Sequence, residues 1–183
     1  LTCEPSIAGP APEQAKDAQL AAAAAPGAQI AFNDVSFRYS DSAECVLEHA
    51  SFTAEAGKTT AIIGSTGSGK STVLKLAERF YDVTSGSVTI DGVDVREVSQ
   101  HALRAQLGYV PQKAFLFSGT IASNIGYGAQ DAGEERIRMA ADVAQASEFI
   151  GEREEGLSTP IAQGGTNVSG GQRQRLAIAR ALA

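Results

Sequence analysis

The sequence predicts an α/β fold, and three observations carry that prediction. Short alternating or apolar runs typical of strands are interspersed with helical periodicities along the chain. A glycine-rich segment, residues 64–71, joins an apolar run at residues 59–63, predicted as a buried strand, to a helical periodicity over residues 70–81. The length of 183 residues suits one domain with a substantial core and is too short for two of ordinary size.

The elements before the glycine-rich segment follow from composition and alternation. Residues 1–29 hold four of the six prolines and an alanine run, which predicts a linker with one short helix between residues 13 and 25. Apolar residues then alternate loosely with polar ones over residues 30–39 and again over residues 46–54, as expected for strands.

Four further elements are predicted after that segment. Asp91-Gly92 between two apolar stretches predicts a hairpin over residues 87–95. Residues 107–110 are predicted as a strand that Pro111 stops, and a final helix is predicted from near Ser169 to Leu182. Residues 134–150 are predicted as one amphipathic helix whose core-facing stripe is Met139, Val143, Ala146 and Ile150.

Charge and composition argue against several classes of protein. The formal net charge is −6, which argues against a nucleic-acid binder because such proteins carry a basic face. No run approaches the roughly 18 apolar residues of a membrane span, and the start of the chain does not resemble a signal peptide. Cys3 and Cys45 are far apart in sequence, so free thiols are expected rather than a disulfide framework or a metal site.

The glycine-rich segment matches the pattern GxxxxGK[ST], in which each residue type has a physical role. Glycines let the backbone N–H groups turn inward at the start of a helix, where they form a nest for an anion. Lys70 is expected to reach the β- and γ-phosphates of a nucleoside triphosphate, and the Ser71 hydroxyl to bind Mg²⁺. The predicted binding residues are Gly64, Ser65, Thr66, Gly67, Ser68, Gly69, Lys70, Ser71 and Thr72, the last through its backbone N–H group.

Three further motifs, in order along residues 30–183, resemble those of ATP-binding-cassette (ABC) nucleotide-binding domains. Phe37-Arg38-Tyr39 resembles the A-loop, Val110-Pro111-Gln112 resembles the Q-loop, and residues 168–175 (VSGGQRQR) closely resemble the LSGGQ signature. Residues 115–125 look like those of the exporter subgroup, which includes multidrug and lipid exporters. The resemblance implies a P-loop NTPase core with an antiparallel β-subdomain and a helical subdomain.

The resemblance also implies roles for residues outside the glycine-rich loop. Tyr39 would stack on adenine, and Gln112 would contact Mg²⁺ or the attacking water, so that Lys70 and Gln112 are the candidate catalytic residues. Ser169, Gly170, Gly171 and Gln172 would begin a helix that faces the ATP of a partner subunit, and a helix N-terminus does favour an anion. ATP and Mg²⁺ are the implied cofactors.

As a whole, the resemblance implies the ATPase domain of an ABC exporter at the cytoplasmic face of a membrane. Its partners would be a second nucleotide-binding domain and the membrane-spanning domains, without nucleic acid. ATP-driven dimerisation would be coupled to transport. Two alternatives stay open: a non-transport ABC ATPase, and a module that binds nucleotide without hydrolysing it.

The sequence departs from the family pattern at two places. The family continues with a strand ending in Asp-Glu and a loop bearing a histidine, and both would lie beyond Ala183. The domain over residues 30–183 is therefore expected to be incomplete at its C-terminal end and inactive in hydrolysis alone. Exporters often carry Gly-Glu-Arg-Gly before the signature, where this chain has residues 162–165 (AQGG), which leaves the coupling partner open.

Overall fold

The computed structural model describes residues 7–11, 15–23, 27–39, 44–129 and 132–183. The chain divides into two compact units, Leu1–Leu107 and Gly108–Ala183, and each unit has its own apolar core. No helix among the described residues is both long and apolar enough to cross a membrane.

The first unit is built on an antiparallel sheet of four strands. Their order across the sheet is Leu47–Ala54 (β2), Ile30–Phe37 (β1), Ser85–Ile90 (β3) and Val93–Asp94 (β4). β1 pairs with β2 on one side and with β3 on the other, so that Ile30 lies opposite Ala54 of β2 and Ile90 of β3. The elements of this unit are α1 (Asp17–Ala23), β1 (Ile30–Phe37), β2 (Leu47–Ala54), α2 (Lys70–Ala77), β3 (Ser85–Ile90), β4 (Val93–Asp94), a 3-10 turn (Val95–Glu97) and α3 (Gln100–Ala105).

The loose alternation of the predicted first strand has a structural cause. Phe32, Val35 and Phe37 of β1 are all buried, although a regular strand would not point residues 32 and 35 to the same face. The pairing of β1 with β2 shifts register between Phe32 and Val35, and Asp34 within that interval has a φ of 51°. A bulge at this point turns both side chains into the core.

The predicted hairpin is confirmed. β3 and β4 pair antiparallel, and the two turn residues Asp91 and Gly92 both have positive φ, at 49° and 80°. Such angles belong to the two-residue turn whose twist matches the flanking strands, and Asp-Gly is among the sequences that adopt it most readily.

Two predicted strands do not form. Residues 59–63 and residues 107–110 have no regular structure, and Ile63 in the first of them is 91% exposed. A strand exists only through hydrogen bonds to a neighbouring strand. Among the described residues no strand pairs with either segment, so most of their apolar side chains lie open to solvent, although Leu107 packs partly against the core of the first unit.

The predicted N-terminal helix is present as α1, and it packs against the rest of the first unit. Leu20 is buried in the core of that unit, and the Lys16 backbone N–H group donates to Glu97 O at 2.9 Å. Both carboxylate oxygens of Asp17 accept from Ser99, one from the backbone N–H group and one from the hydroxyl group. The assignment of residues 1–29 as a linker stays a prediction.

The second unit packs around its last helix, α7. Its elements are β5 (Gly119–Thr120), α4 (Ile121–Ile125), a 3-10 turn (Gly126–Gly128), α5 (Glu134–Val143), α6 (Ser147–Gly151), a 3-10 turn (Gly156–Ser158), β6 (Pro160–Ile161), a 3-10 turn (Gln163–Gly165) and α7 (Gly170–Leu182). Leu176 and Ala179 of α7 are fully buried beside Ile121 and Ile125 of α4, which makes α7 the centre of this core.

The prediction of one helix over residues 134–150 is wrong in two respects. Gln145 has a φ of 56°, and this left-handed residue separates α5 from α6. The stripe is misplaced as well, because Met139 and Val143 are 60% and 64% exposed, although Ala146 and Ile150 are buried as predicted. Small residues of α5, Ala140 and Ala141, face the core instead because α5 lies close to α7.

Candidate functional site

The glycine-rich loop turns into α2 through two glycines in left-handed conformations. Gly67 and Gly69 have φ angles of 86° and 84°, which glycine adopts without the strain of a Cβ atom. A Cβ atom on Gly69 would also lie 2.9 Å from Leu47 Cδ2 and 3.1 Å from Val46 O. Gly69 is the N-cap of α2 and no side chain caps this end. The Thr72 N–H group donates to Gly69 O at 2.9 Å, so the N–H groups of Lys70 and Ser71 are the ones left for a ligand.

Lys70 folds back over the loop that precedes it. Its ammonium group donates to Gly64 O at 2.9 Å, to Ser65 O at 2.6 Å and to Ser68 Oγ at 3.3 Å. These bonds hold one full positive charge at the centre of the loop. A phosphate group that arrives there meets a cation already in position.

A cavity of about 180 Å³ opens at this loop. It is lined by Val46, Gly67, Ser68, Gly69, Lys70, Ser71 and Thr72. Lys70 is the one charged residue in that lining, and no carboxylate shares it, so the cavity favours an anion. The described residues hold no cluster of three or more His, Cys, Asp or Glu side chains suited to a metal ion. A cation here would be bound by the Ser71 hydroxyl together with oxygens of the anion.

Tyr39 lies beside the phosphate loop in the first unit. Its ring meets Phe37 edge-on with centroids 4.8 Å apart, and meets Tyr81 edge-on at 5.1 Å. The Tyr39 hydroxyl group lies 3.2 Å from Thr72 Oγ1, and the Lys75 ammonium group lies 5.9 Å from the ring centroid. The structure therefore brings the predicted adenine-stacking residue together with the helix that starts at the loop.

The signature segment starts α7, as predicted. Ser169 is the N-cap: its hydroxyl oxygen accepts from the Gln172 N–H group at 3.2 Å, and Gln172 Oε1 accepts from the Ser169 N–H group at 3.0 Å. This reciprocal pair is a capping box, which fixes the start of the helix. Gly170 and Gly171 are exposed at its first two positions.

Gln112 lies in an exposed bend of the second unit. The carbonyl oxygen of the preceding residue, Pro111, accepts a bond of 3.5 Å from Gln174 Nε2 of α7. Gln163, which stands at the acidic position of the family pattern, is exposed in a 3-10 turn in which Gly164 has a φ of 75°.

Several residues that organise these sites carry no signal in the sequence. Arg173 supports the signature segment, because its guanidinium group donates to Gly165 O at 2.9 Å and to Val168 O at 3.0 Å. Arg180 donates to Asn124 O at 2.8 Å and to Phe115 O at 3.0 Å, and burial lowers its pKa from the usual range. Neither arginine was among the predicted site residues, since a bond from a side chain to a backbone acceptor leaves no sequence pattern.

Comparisons with known proteins agree on one family. The family model described as ABC transporter matches residues 47–183. An ATP-dependent lipid A-core flippase of Vibrio parahaemolyticus is 51% identical over 154 residues, which cover 84% of this chain and 26% of that protein. An uncharacterized ABC transporter ATP-binding protein of Mycobacterium tuberculosis is 54% identical over 144 residues, which cover 76% of this chain and 24% of that protein.

A solved structure gives the same result for the fold. A bacterial Atm1-family ABC exporter with ATP bound has a TM-score of 0.81 and 42% sequence identity, covering 85% of this chain and 27% of that one. This likeness confirms the predicted fold class, an α/β P-loop NTPase domain with an antiparallel subdomain and a helical subdomain. The chain spans about a quarter of the length of the relatives that it matches.

Proposed function

The chain belongs to the ABC transporter family, as an ATP-binding domain of the exporter type, and from this premise we propose that it binds Mg-ATP at residues 64–72. The observation that carries the proposal is the cavity at the glycine-rich loop, with the Lys70 ammonium group as its one charged lining residue. Lys70 would bind the β- and γ-phosphates, and the Thr72 N–H group the α-phosphate.

Mg²⁺ would arrive with the nucleotide. The Ser71 hydroxyl group and the Gln112 amide oxygen are its candidate protein ligands, both of the oxygen type that Mg²⁺ prefers. The ion would neutralise charge that develops on the phosphates during transfer to water. None of the seven residues that line the cavity is a carboxylate, so the group that orients the attacking water lies outside that lining.

Tyr39 would bind the adenine base by stacking. Aromatic stacking tolerates any base because each base has a π face, so we expect only modest preference for ATP over GTP. The neighbouring contacts to Phe37 and Tyr81 support this role, since a ring that is already held by its neighbours loses little freedom when a base stacks on it.

In the whole protein the signature of one domain would close on the ATP of another. Ser169, Gly170, Gly171 and Gln172 begin a 13-residue helix, whose N-terminus suits the γ-phosphate of a partner domain. We propose that closure of the two domains and ATP hydrolysis drive export by attached membrane-spanning domains, with this domain at the cytoplasmic face. The names of the flippase and exporter relatives support this assignment.

The first test is calorimetric binding of Mg-ATP to the chain and to Lys70→Ala. We expect the substitution to weaken binding by at least about tenfold, since it removes a charge-assisted contact to phosphate. Lys58→Ala is the matched control, because Lys58 is an exposed lysine of the same unit and does not line the cavity. Equal affinity of Lys70→Ala and the unsubstituted chain would falsify the proposed site.

A further inference from the structure

One hydrogen bond joins the base-binding side of the candidate site to its phosphate side. The Tyr39 hydroxyl group lies 3.2 Å from Thr72 Oγ1, across 33 positions of sequence. Thr72 is in the first turn of α2, is only 5% exposed, and is one of the residues that line the phosphate cavity. The hydroxyl pair therefore lies between the two groups of the nucleotide that the site must recognise.

Aromatic contacts, a cation and one hydrogen bond hold the Tyr39 ring. Phe37 and Tyr81 pack against it at nearly perpendicular angles of 83° and 90°, the Lys75 ammonium group lies over it, and Thr72 holds its hydroxyl group. The contacts with the two aromatic rings and with Lys75 are only weakly directional. The bond to Thr72 is directional, so it selects one position among those that the other contacts permit.

A hydroxyl group has one hydrogen to donate and can accept others. Either hydroxyl group can donate in this pair. When the phenol, the more acidic of the two groups, donates, Thr72 Oγ1 is the acceptor. The Thr72 hydrogen is then left for an oxygen atom inside the cavity. An anion that accepts it polarises the threonine hydroxyl group and strengthens its bond to Tyr39.

We propose that Thr72 is a positioning residue whose side chain places the Tyr39 ring and couples base recognition to phosphate binding. This inference rests on the proposed function. When the link is removed, the ring occupies its binding position in only a fraction of molecules, and the apparent dissociation constant rises by the inverse of that fraction. The loss applies to ligands that carry a base and spares those that do not.

The experiment measures Mg-ATP and Mg-tripolyphosphate binding to the unsubstituted chain, Tyr39→Phe, Thr72→Val and the double variant. Tyr39→Phe keeps the ring and removes the hydroxyl group, so we expect ATP affinity to fall about three- to tenfold, the size of one neutral hydrogen bond. Tripolyphosphate affinity of Tyr39→Phe should stay within about twofold. The double variant should bind ATP no more weakly than Thr72→Val, because both changes break the same link.

Two further variants separate positioning from general damage. Thr72→Ser keeps the hydroxyl group and should restore the ratio of ATP to tripolyphosphate affinity that Thr72→Val lowers. Tyr109→Phe is the matched control, since Tyr109 is exposed, does not line the cavity, and its hydroxyl group has no hydrogen-bond partner among the described residues, so its ATP affinity should not change. Thermal midpoints without ligand identify any variant that is not folded.

The outcomes distinguish this inference from the function on which it rests. If the unsubstituted chain does not bind Mg-ATP, both are overturned. If ATP binds and Lys70→Ala abolishes binding, but the effects of Tyr39→Phe and Thr72→Val simply add, the positioning role alone is overturned. An equal loss of ATP and tripolyphosphate affinity in Tyr39→Phe also overturns it.

Discussion

Arg79 is a charged side chain enclosed in the first unit, directly after the helix that starts at the phosphate loop. It is 2% exposed, and its φ of 51° ends the helix four residues before the end predicted at Tyr81. Its guanidinium group donates to Val95 O at 3.1 Å and to Val98 O at 3.2 Å, and it pairs with Asp82 at 2.9 Å. A planar group with five donors suits this position, where a single ammonium group would not.

We expect Arg79→Met to lower the free energy of unfolding by about 3 kcal/mol, because two buried carbonyl groups lose their donor. Urea unfolding followed by circular dichroism measures the change. Arg138→Met is the matched control: Arg138 pairs with Glu134 on the exposed face of α5, and such pairs contribute less than about 1 kcal/mol. Equal effects of the two substitutions would show that the buried bonds do not stabilise the fold.

At the scale of elements, the sequence correctly predicted the turns and helix ends that are determined by residues close together in the chain. The Asp91-Gly92 turn, the start of α7 at Ser169 and the glycine loop are each encoded by residues within a few positions of each other. The segments at residues 59–63 and 107–110 have strand-like sequences too. They remain irregular because a strand depends on distant neighbours, which composition does not specify.

The break between α5 and α6 shows that tertiary contacts can override local helix propensity, which limits prediction from sequence in a different way. Gln145 adopts a left-handed conformation, and its carbonyl oxygen accepts from the Arg175 guanidinium group at 3.1 Å. Glutamine is a good helix former, so nothing local marks the break. Contact with α7 overrides that propensity and also explains why the alanines, rather than Met139 and Val143, face inward.

Docking of α1 should depend on pH. The backbone and side-chain hydrogen bonds from Ser99 lower the pKa of Asp17, so the carboxylate form stabilises the docked helix. A lowered folded-state pKa means that this stabilisation is present above the unfolded-state pKa, and is lost as the pH falls through the still lower folded value. Lys16 and Glu97 also pair here, and His101 adds a weak attraction to Asp17.

We therefore expect the amide protection factors of α1 to fall below about pH 4, as Asp17 is protonated. Hydrogen exchange followed by mass spectrometry measures them. In Asp17→Asn the protection should already be low at pH 7 and change little with acid, whereas Glu97→Gln should leave most of the pH dependence in place. A decrease of the same size in Asp17→Asn would assign the effect to another group.

At the scale of the whole molecule, the candidate residues are divided between the two units. Tyr39 and residues 64–72 belong to the first unit, and Gln112 and the signature residues belong to the second. Each unit has its own buried core, so each set of residues is supported by packing within its unit. The sequence analysis predicted one domain over residues 30–183 and did not predict this division, and the roles of the residues toward ATP and a partner domain stay predictions.

The proposed closure of two domains predicts an effect of Gly171→Asp on association alone. The new carboxylate would lie at the exposed start of α7 and repel the γ-phosphate of a partner, while the phosphate loop is untouched. We expect Mg-ATP affinity within about twofold of the unsubstituted chain, and at least about tenfold weaker ATP-dependent dimerisation, from repulsion of like charges. Sedimentation velocity with and without Mg-ATP measures the association.

Gly151→Asp provides the matched control for that experiment. Gly151 is also exposed, an added Cβ atom there meets nothing within 4 Å, and the substitution adds the same charge at the end of α6. It should leave dimerisation unchanged. Equal loss in both variants would attribute the effect to net charge rather than to the signature.

The capping box at Ser169 also affects how strongly the start of α7 binds small anions from solution. The N–H groups of Ser169 and Gln172 already have acceptors within the chain, so the capping box leaves the N–H groups of Gly170 and Gly171 for a free phosphate or sulfate ion. To gain more, the ion must compete with two internal bonds and also lose its own hydration. Small free anions are therefore expected to bind weakly at the start of this helix. An anion held in place by a larger complementary surface gains further contacts, which offset the lost hydration and the broken internal bonds.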